Sequence, residues 1–526
     1  MSELSGHSAS PAVPAGAAVA LRPRLAVGLV AAFAVAKLAL HFATTALTPY
    51  GIHRDEFFYL AMGQHLRFWG MDFPPAIAVL AKVARGVLGD NLFAVRFFPA
   101  IGGTLVLVLA GLIARELGGG RFAQGLTMLA VLLGPLFLRP ESLFQPVVFD
   151  QLWWTLGFFA LIKLAQTADL RWWLLLGLAG GLGLLTKFSI GFFAVGVLAA
   201  LLLSGRSAAW VSRWPYLAVL VALVVGSASL IGQIRLDFPV VMQMRDLQRE
   251  QLQRVTAAEF LLGQVWMLGP ALFLAVAGLL YLLTARSTRP YRVIGWTCVV
   301  AFLVLLFLHG KAYYIGPIYP TLFAAGAVAL GLMRGLWGRL TNVVIVLLLV
   351  GLGVVGLPFG LPILPPPQMV RYANAVGLKA AVTTNRGTTL PLPQDYADML
   401  GWEDQVAAVA RVYDSLSVDQ RARAWLLARN YGEAGALEFF GPRYGLPRRV
   451  LLPNNDLLWP PPADMSRVVL VTLGVSPEDL RRFFRSVRRV TRFDDSWMVE
   501  EERNAAICVA ETPYRGVTEA WPRQKH

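Results

Sequence analysis

The chain has 526 residues, 56% of them hydrophobic and only 15% charged, with a net charge of +15. Soluble domains carry about a quarter charged residues, so a wholly soluble protein is excluded and a membrane protein is indicated. The deficit lies before Pro362, where 26 Lys and Arg stand against 13 Asp and Glu; after it the balance is 21 to 19. Basic residues scattered between apolar runs suit lipid headgroups and phosphorylated lipids. No basic stripe with interleaved stacking aromatics speaks for nucleic acid. Cys298 and Cys508 make neither a disulfide framework nor a thiolate metal site.

In chain order, "MSELSGHSASPAVPAGAAVALRPR" is polar and of low complexity. A disordered cytoplasmic tail is expected over 1–24, ahead of an uncleaved span. Apolar runs long enough to cross a bilayer as helices, about 17 to 23 residues, then recur at 25–47, 97–114, 122–138, 147–165, 172–186, 188–204, 214–232, 261–284, 293–309, 312–333 and 340–362. The expected fold class is a polytopic α-helical membrane protein of about eleven spans over 25–362.

Segment 48–96 is longer than a connector needs. Within it "EFFYLAMGQHLRFWG" places Phe57, Phe58, Leu60, Ala61 and Met62 on roughly one side, which predicts an amphipathic helix at the membrane surface. Pro74 and Pro75 end it. Segment 233–260 has mixed charge at helical spacing and is expected along the interface.

"LPILPPPQ" reads as a stiff linker. Beyond it, 363–526 is expected to be a soluble α/β domain. "RVVLVTLGV" and "AAICVAET" have strand character, and "WEDQVAAVARVYDSL", "QRARAWLLARNYGEAGALEFFG" and "SPEDLRRFFRSV" have helical spacing. The segment has neither a Gly-rich phosphate loop nor a nucleophile elbow.

The loops "RELGGGR", "SGRSAAWVSR", "TARSTRPYR" and "RGLWGR" are short and basic, as cytoplasmic loops are. That orientation puts 48–96, 233–260 and 363–526 outside, with all but Glu3, Glu116 and Asp169 of the acids before Pro362.

Asp55 and Glu56 end the first span and precede "FFYLAM". They are either a solvated pair closing the span or carboxylates held near lipid for general-base work or metal binding. Asp150, at the start of the fourth span, is either a helix cap or part of the same site. Lys187 and Lys311 interrupt apolar sequence on the outer face. Each either snorkels or binds phosphate, with Arg54 and Arg96 as helpers and Tyr313 and Tyr314 as walls. His53, Tyr59 and Glu141 complete the candidate pocket. His53, Asp55, Glu56 and His65 have no recognisable zinc spacing, so no metal is assigned and no cofactor is indicated.

"HRDEFFYLAMGQHLRFWGMDFPPAIAVLAKV", "RPESLFQPVVFDQLWWTL", "GLAGGLGLLTKFSIGFF", "GKAYYIGPIYPTLFAAGAVAL" and "NYGEAGALEFFGPRYGLP", in this order, resemble bacterial glycosyltransferases of family 39. That family includes the protein O-mannosyltransferases and the lipid A aminoarabinose transferases. The resemblance implies a GT-C fold and a polyprenyl-phosphate-linked sugar donor used at the outer face of the bacterial inner membrane. It maps the family's acidic motif onto Asp55 and Glu56 and its second acidic position onto Asp150. By the same likeness, Lys187 and Lys311 fall where cations meet the donor phosphate. The implied partners are that donor, membrane lipids and an envelope acceptor (lipid, glycan or protein); the competing reading is a transporter or flippase for a lipid-linked sugar.

Overall fold

The computed structural model describes residues 23–167, 169–203, 212–377, 389–453 and 455–521. Nearly all of the tail expected over 1–24, and most of the loop "SGRSAAWVSR", lie outside these residues. Among the described residues, six helices are long and apolar enough to span a membrane: Val27–Leu47, Leu92–Glu116, Pro146–Gln166, Arg289–Phe307, Ala312–Gly331 and Gly335–Gly360. Three further apolar segments are bent helix pairs, each a broken span or a re-entrant loop. Arg121–Leu133 with Pro135–Glu141 bends by 58°, Trp214–Val225 with Ser227–Arg235 by 60°, and Ala257–Leu268 with Ala271–Thr284 by 110°. The breaks fall at Gly134-Pro135, Gly226 and Gly269-Pro270, where a missing N–H or Cβ weakens the helical ladder. Two shorter apolar helices, Trp172–Thr186 and Ile190–Leu203, bring the apolar segments to eleven, in register with the runs in the sequence. Their outward faces expose Val27, Leu220, Phe273 and Leu347, as a lipid-facing surface does.

The helix Arg54–Gln64 starts where a reciprocal cap forms. The His53 side chain accepts from the Asp55 N–H, and the Glu56 carboxylate accepts from the His53 N–H. This helix does not rest its apolar side on lipid as expected. Phe57, Leu60, Ala61 and Met62 are buried, between the helix Ala76–Leu88, which the sequence reading missed, and the tail helix Tyr431–Phe440.

The tail carries a five-stranded mixed sheet: β1 Ala424–Ala428, β2 Val450–Leu451, β3 Val469–Leu473, β4 Phe484–Phe493 and β5 Ala505–Pro513, in the order β2-β1-β3-β5-β4. β1 runs parallel to β2 and β3, and β5 antiparallel to β3 and β4. Two expected helices are corrected here. "AWLLA" is a strand because it is central and almost wholly buried, so its apolar run fills both faces of the sheet rather than one helical stripe. In "SPEDLRRFFRSV" only Pro477–Leu480 is helical, and the rest enters β4, where Val487, Val490 and Thr491 favour an extended chain.

The tail and the outer loop share one core. Phe57, Leu60, Val95 and Phe144 pack in the same buried cluster as Trp402, Leu426, Leu437, Val471 and Ile507. The approach is close enough that a Cβ on Gly435 would lie 2.6 Å from the Cβ of Phe57. Beneath this joint a buried ionic group fixes the bent helix Pro135–Glu141. Glu141 pairs with Lys37 and with His41 (3.1 Å), and His41 meets Ser142 at 3.3 Å. All four are buried, and Gly103 leaves the space that the Glu141 carboxylate fills. Charges at this depth persist only when paired, so the group holds 142–145 in place.

Gly435→Val should overpack the joint and weaken tail docking by about 1–3 kcal/mol, read as faster proteolysis of the tail with the bundle intact. Lys37→Met should destabilise the protein by about 3–5 kcal/mol by leaving the buried Glu141 with His41 as its remaining partner. Lys37→Met with Glu141→Met should recover most of that loss in thermal unfolding.

Candidate active site

A cavity of about 510 Å³ lies where the outer loop, the second outer segment and the tail meet. The outer loop contributes His53, Arg54 and Asp55, and the bundle Gln251 and Lys311. The tail contributes Gln394, Asp395, Asp398, Tyr431, Glu500 and Glu501.

Asp55 is held at both carboxylate oxygens. Tyr431 donates its hydroxyl to Oδ1 at 2.7 Å, and the Gln145 amide donates to Oδ2 at 3.1 Å. Burial and the Asp55 charge push the Tyr431 phenol well above its ordinary pKa, so it stays a neutral donor. Gln145 directly follows the segment anchored by Glu141. Its neighbour Phe144 donates its N–H to Glu56 Oε1 at 2.8 Å.

Glu56 differs from Asp55 in every respect but charge. It is fully buried, caps its own helix, and takes two hydrogen bonds of 3.3 Å from Arg96, which also donates to the Gly51 carbonyl at 2.8 Å. Neither Glu56 nor Arg96 lines the cavity. Their pairing satisfies both charges and locks the start of the Arg54–Gln64 helix.

Arg54 lies in the cavity wall with its Nε 3.3 Å from Asp398 and its Nη1 3.1 Å from Glu501. Burial pushes the Asp398 carboxyl up to about 6, although Arg54 and His53 oppose it. Asp395 is the reverse. Enclosure raises it, but Arg139 at 2.6 Å, His53, Lys311 and Arg54 together hold it below the ordinary value.

Lys311 donates to Gln251 at 2.5 Å. Burial lowers its pKa while Asp55 and Asp395 resist, and Lys187 acts on it as a like charge. Lys187 lies over the rings of Tyr314 (4.8 Å) and Tyr313 (5.6 Å), and its charge acts on Asp150, which is buried and accepts from the Trp154 indole at 3.1 Å. Tyr59 feels both Asp55 and Tyr314. Asp55, Tyr59, Tyr313, Tyr314, Lys187 and Asp150 thus form a polar strip of which only Asp55 lines the cavity: its charge reaches Tyr59 and Tyr313, and Lys187 links the tyrosine rings to Asp150. Asp55 and Lys311 line one cavity, and the Lys187 ammonium lies on the Tyr313 and Tyr314 rings. That arrangement can deprotonate a hydroxyl and hold an anionic leaving group.

Glu141 stands apart from the strip, in the ionic group with Lys37 and His41. The sequence reading missed Asp395, Asp398, Tyr431, Gln145, Gln251, Glu500 and Glu501. Only "ARNYGEAG" gave a local signal, an Asn430 cap that puts Tyr431 at a helix start. Among the described residues no group of three or more His, Cys, Asp and Glu is disposed to hold a metal ion.

Residues 72–231 match the family model described as dolichyl-phosphate-mannose-protein mannosyltransferase. That range includes Asp150 and Lys187 but not Asp55. No curated protein matches by sequence. Among solved structures, ArnT from Cupriavidus metallidurans bound to undecaprenyl phosphate is similar, with a TM-score of 0.64 at 16% identity over 92% of this chain and 98% of that one. The archaeal oligosaccharyltransferase AglB from Archaeoglobus fulgidus, in complex with an inhibitory peptide and a dolichol-phosphate, is similar at a TM-score of 0.51 and 12% identity, over 79% of this chain and 63% of that one. Residues 72–231 therefore resemble the domain that this family model describes, within a multi-pass membrane chain that shares the GT-C fold of these structures.

Proposed function

We propose that this protein is an inverting glycosyltransferase that moves a sugar from a polyprenyl-phosphate donor to an envelope acceptor at the outer face of the bacterial inner membrane. The observation that carries the reading is the Asp55 carboxylate and the Lys311 ammonium on the wall of one cavity, with Lys187 held over the Tyr313 and Tyr314 rings. The ligands named for the two similar structures, undecaprenyl phosphate and a dolichol-phosphate, support a lipid phosphate as the donor's anchor. In this reading 1–24 is cytoplasmic, and 25–362 forms the membrane domain with outer loops 48–96 and 233–260. The region 363–526 is extracytoplasmic.

The chemistry follows from the residues. An acceptor hydroxyl gives its proton to Asp55 as its oxygen attacks the anomeric carbon from the side opposite the phosphate. The new C–O bond forms as the sugar–phosphate C–O bond breaks, which inverts the anomeric configuration. The electron pair leaves on the lipid phosphate, where Lys187 and Lys311 stabilise it. Tyr431 and Gln145 orient the Asp55 oxygens, and Asp150 sets the position of Lys187. Glu56 and Arg96 hold the helix that presents Asp55, and no nucleotide is required.

Asp55→Asn should lower transfer from a radiolabelled polyprenyl-phosphate sugar by at least about 100-fold, with donor binding within about twofold of wild type. Transfer at the normal rate would remove Asp55 as the base. Lipid-linked sugar translocation retained in both proteins without any transfer would favour the flippase. Lys187→Ala should raise the donor KM about tenfold or more, as expected for the loss of a charge-assisted hydrogen bond. An unchanged KM would return Lys187 to a snorkelling role.

A further inference from the structure

β4 has an unusual composition for an edge strand. From Arg481 to Arg492 the chain carries Arg481, Arg482, Arg485, Arg488, Arg489 and Arg492, with no acidic residue between Asp479 and Asp494, in a tail that elsewhere has 15 Lys and Arg against 19 Asp and Glu. Arg481 and Arg482 pair with Glu478 and Asp479 at 3.6 and 3.4 Å. The other four are exposed and have no ion pair among the described residues; Arg485 lies over the Tyr514 ring at 5.4 Å. Among the described residues β4 pairs with β5 alone, so no described strand partners its second edge.

One or two charges are enough to keep an edge strand from pairing with another chain. Four uncompensated arginines go beyond that need and create a concentrated positive field. Guanidinium groups match carboxylate and phosphate oxygens two at a time. At about 3.3 Å per residue, Arg485 to Arg492 spans about 23 Å, the shape of an extended chain rather than a single compact anion. No large apolar side chain is exposed between Arg481 and Phe493, so the strand has nothing to insert into a lipid surface.

The strand also leads to the cavity. After Phe493 the chain turns through 494–498, where Trp497 packs with the cluster around Tyr50 and Tyr396, and then supplies Val499, Glu500 and Glu501 to the cavity wall. Glu501 is the residue that pairs with Arg54. β4 and this wall segment are thus consecutive along the chain, the arginines of the strand giving way to Asp494 and Asp495 and then to Glu500 and Glu501 at the cavity.

We propose that the arginine edge of β4 is a docking track for an extended anionic glycan, a chain bearing repeated carboxylate or phosphate groups. That this glycan is the acceptor rests on the glycosyltransferase reading; that it docks does not.

The test is binding of fluorescent polygalacturonate, a linear polyuronate, to the full-length protein in phosphatidylcholine nanodiscs. Wild type should bind with an affinity that falls steeply with added salt. Replacing Arg485, Arg488, Arg489 and Arg492 together by Ala should weaken binding by at least about tenfold, whereas replacing the same four by Lys, which keeps the charge but not the two-point fork, should weaken it by less. Asp55→Asn should bind as wild type does, so failure of docking and failure of catalysis are read separately. Unchanged affinity in the alanine variant would overturn the proposal, as would equal losses in the alanine and lysine variants. So would a loss confined to phosphatidylglycerol vesicles, which would assign the arginines to lipid.

Discussion

The structure turns on one carboxylate held from two sides. Tyr431 of the tail grips one oxygen of Asp55, and Gln145 of the bundle grips the other. A flexible carboxylate at the edge of a membrane would sample many orientations and prefer water. Two donors on separately anchored elements fix it in one. Much of the surrounding architecture serves to place those two donors. The buried core shared by outer loop and tail positions Tyr431, and the Lys37–Glu141–His41 group steadies the segment ending at Gln145.

The same constraint explains why neighbouring acids have divergent roles. Glu56 is one residue from Asp55, but on a helix that step rotates the side chain by about 100°. Asp55 therefore faces the cavity while Glu56 faces Arg96 and the backbone of 53 and 144. Asp395 and Asp398, brought in by the tail, surround Arg54 and His53 and make the cavity a dense electrostatic network. Such a network rigidifies when its charges are paired; Arg54 and Lys311 both act on Asp55, and Lys187 acts on Asp150.

The membrane architecture was legible in the sequence because bilayer thickness sets run length, and each of the eleven apolar runs became an apolar segment. The bends were less legible, since Gly134-Pro135 and Gly269-Pro270 mark weak points without fixing an angle. Asp55, Lys187 and Lys311 were visible because charge beside apolar sequence is conspicuous. Tyr431, Asp395 and Asp398 were not, because they sit in ordinary polar sequence and reach the cavity only through tertiary packing. "AWLLA" was misread for a related reason: a doubly buried strand and a buried helix have the same local composition.

The most direct test is a cryo-EM structure with a non-cleavable polyprenyl-phosphonate sugar. The account predicts the phosphonate within hydrogen-bond reach of Lys187 or Lys311, the lipid tail leaving between the apolar helices, and the sugar's anomeric carbon facing Asp55 across the cavity. A phosphonate bound away from both lysines, or a sugar turned from Asp55 with its reactive face against another acid, would contradict it.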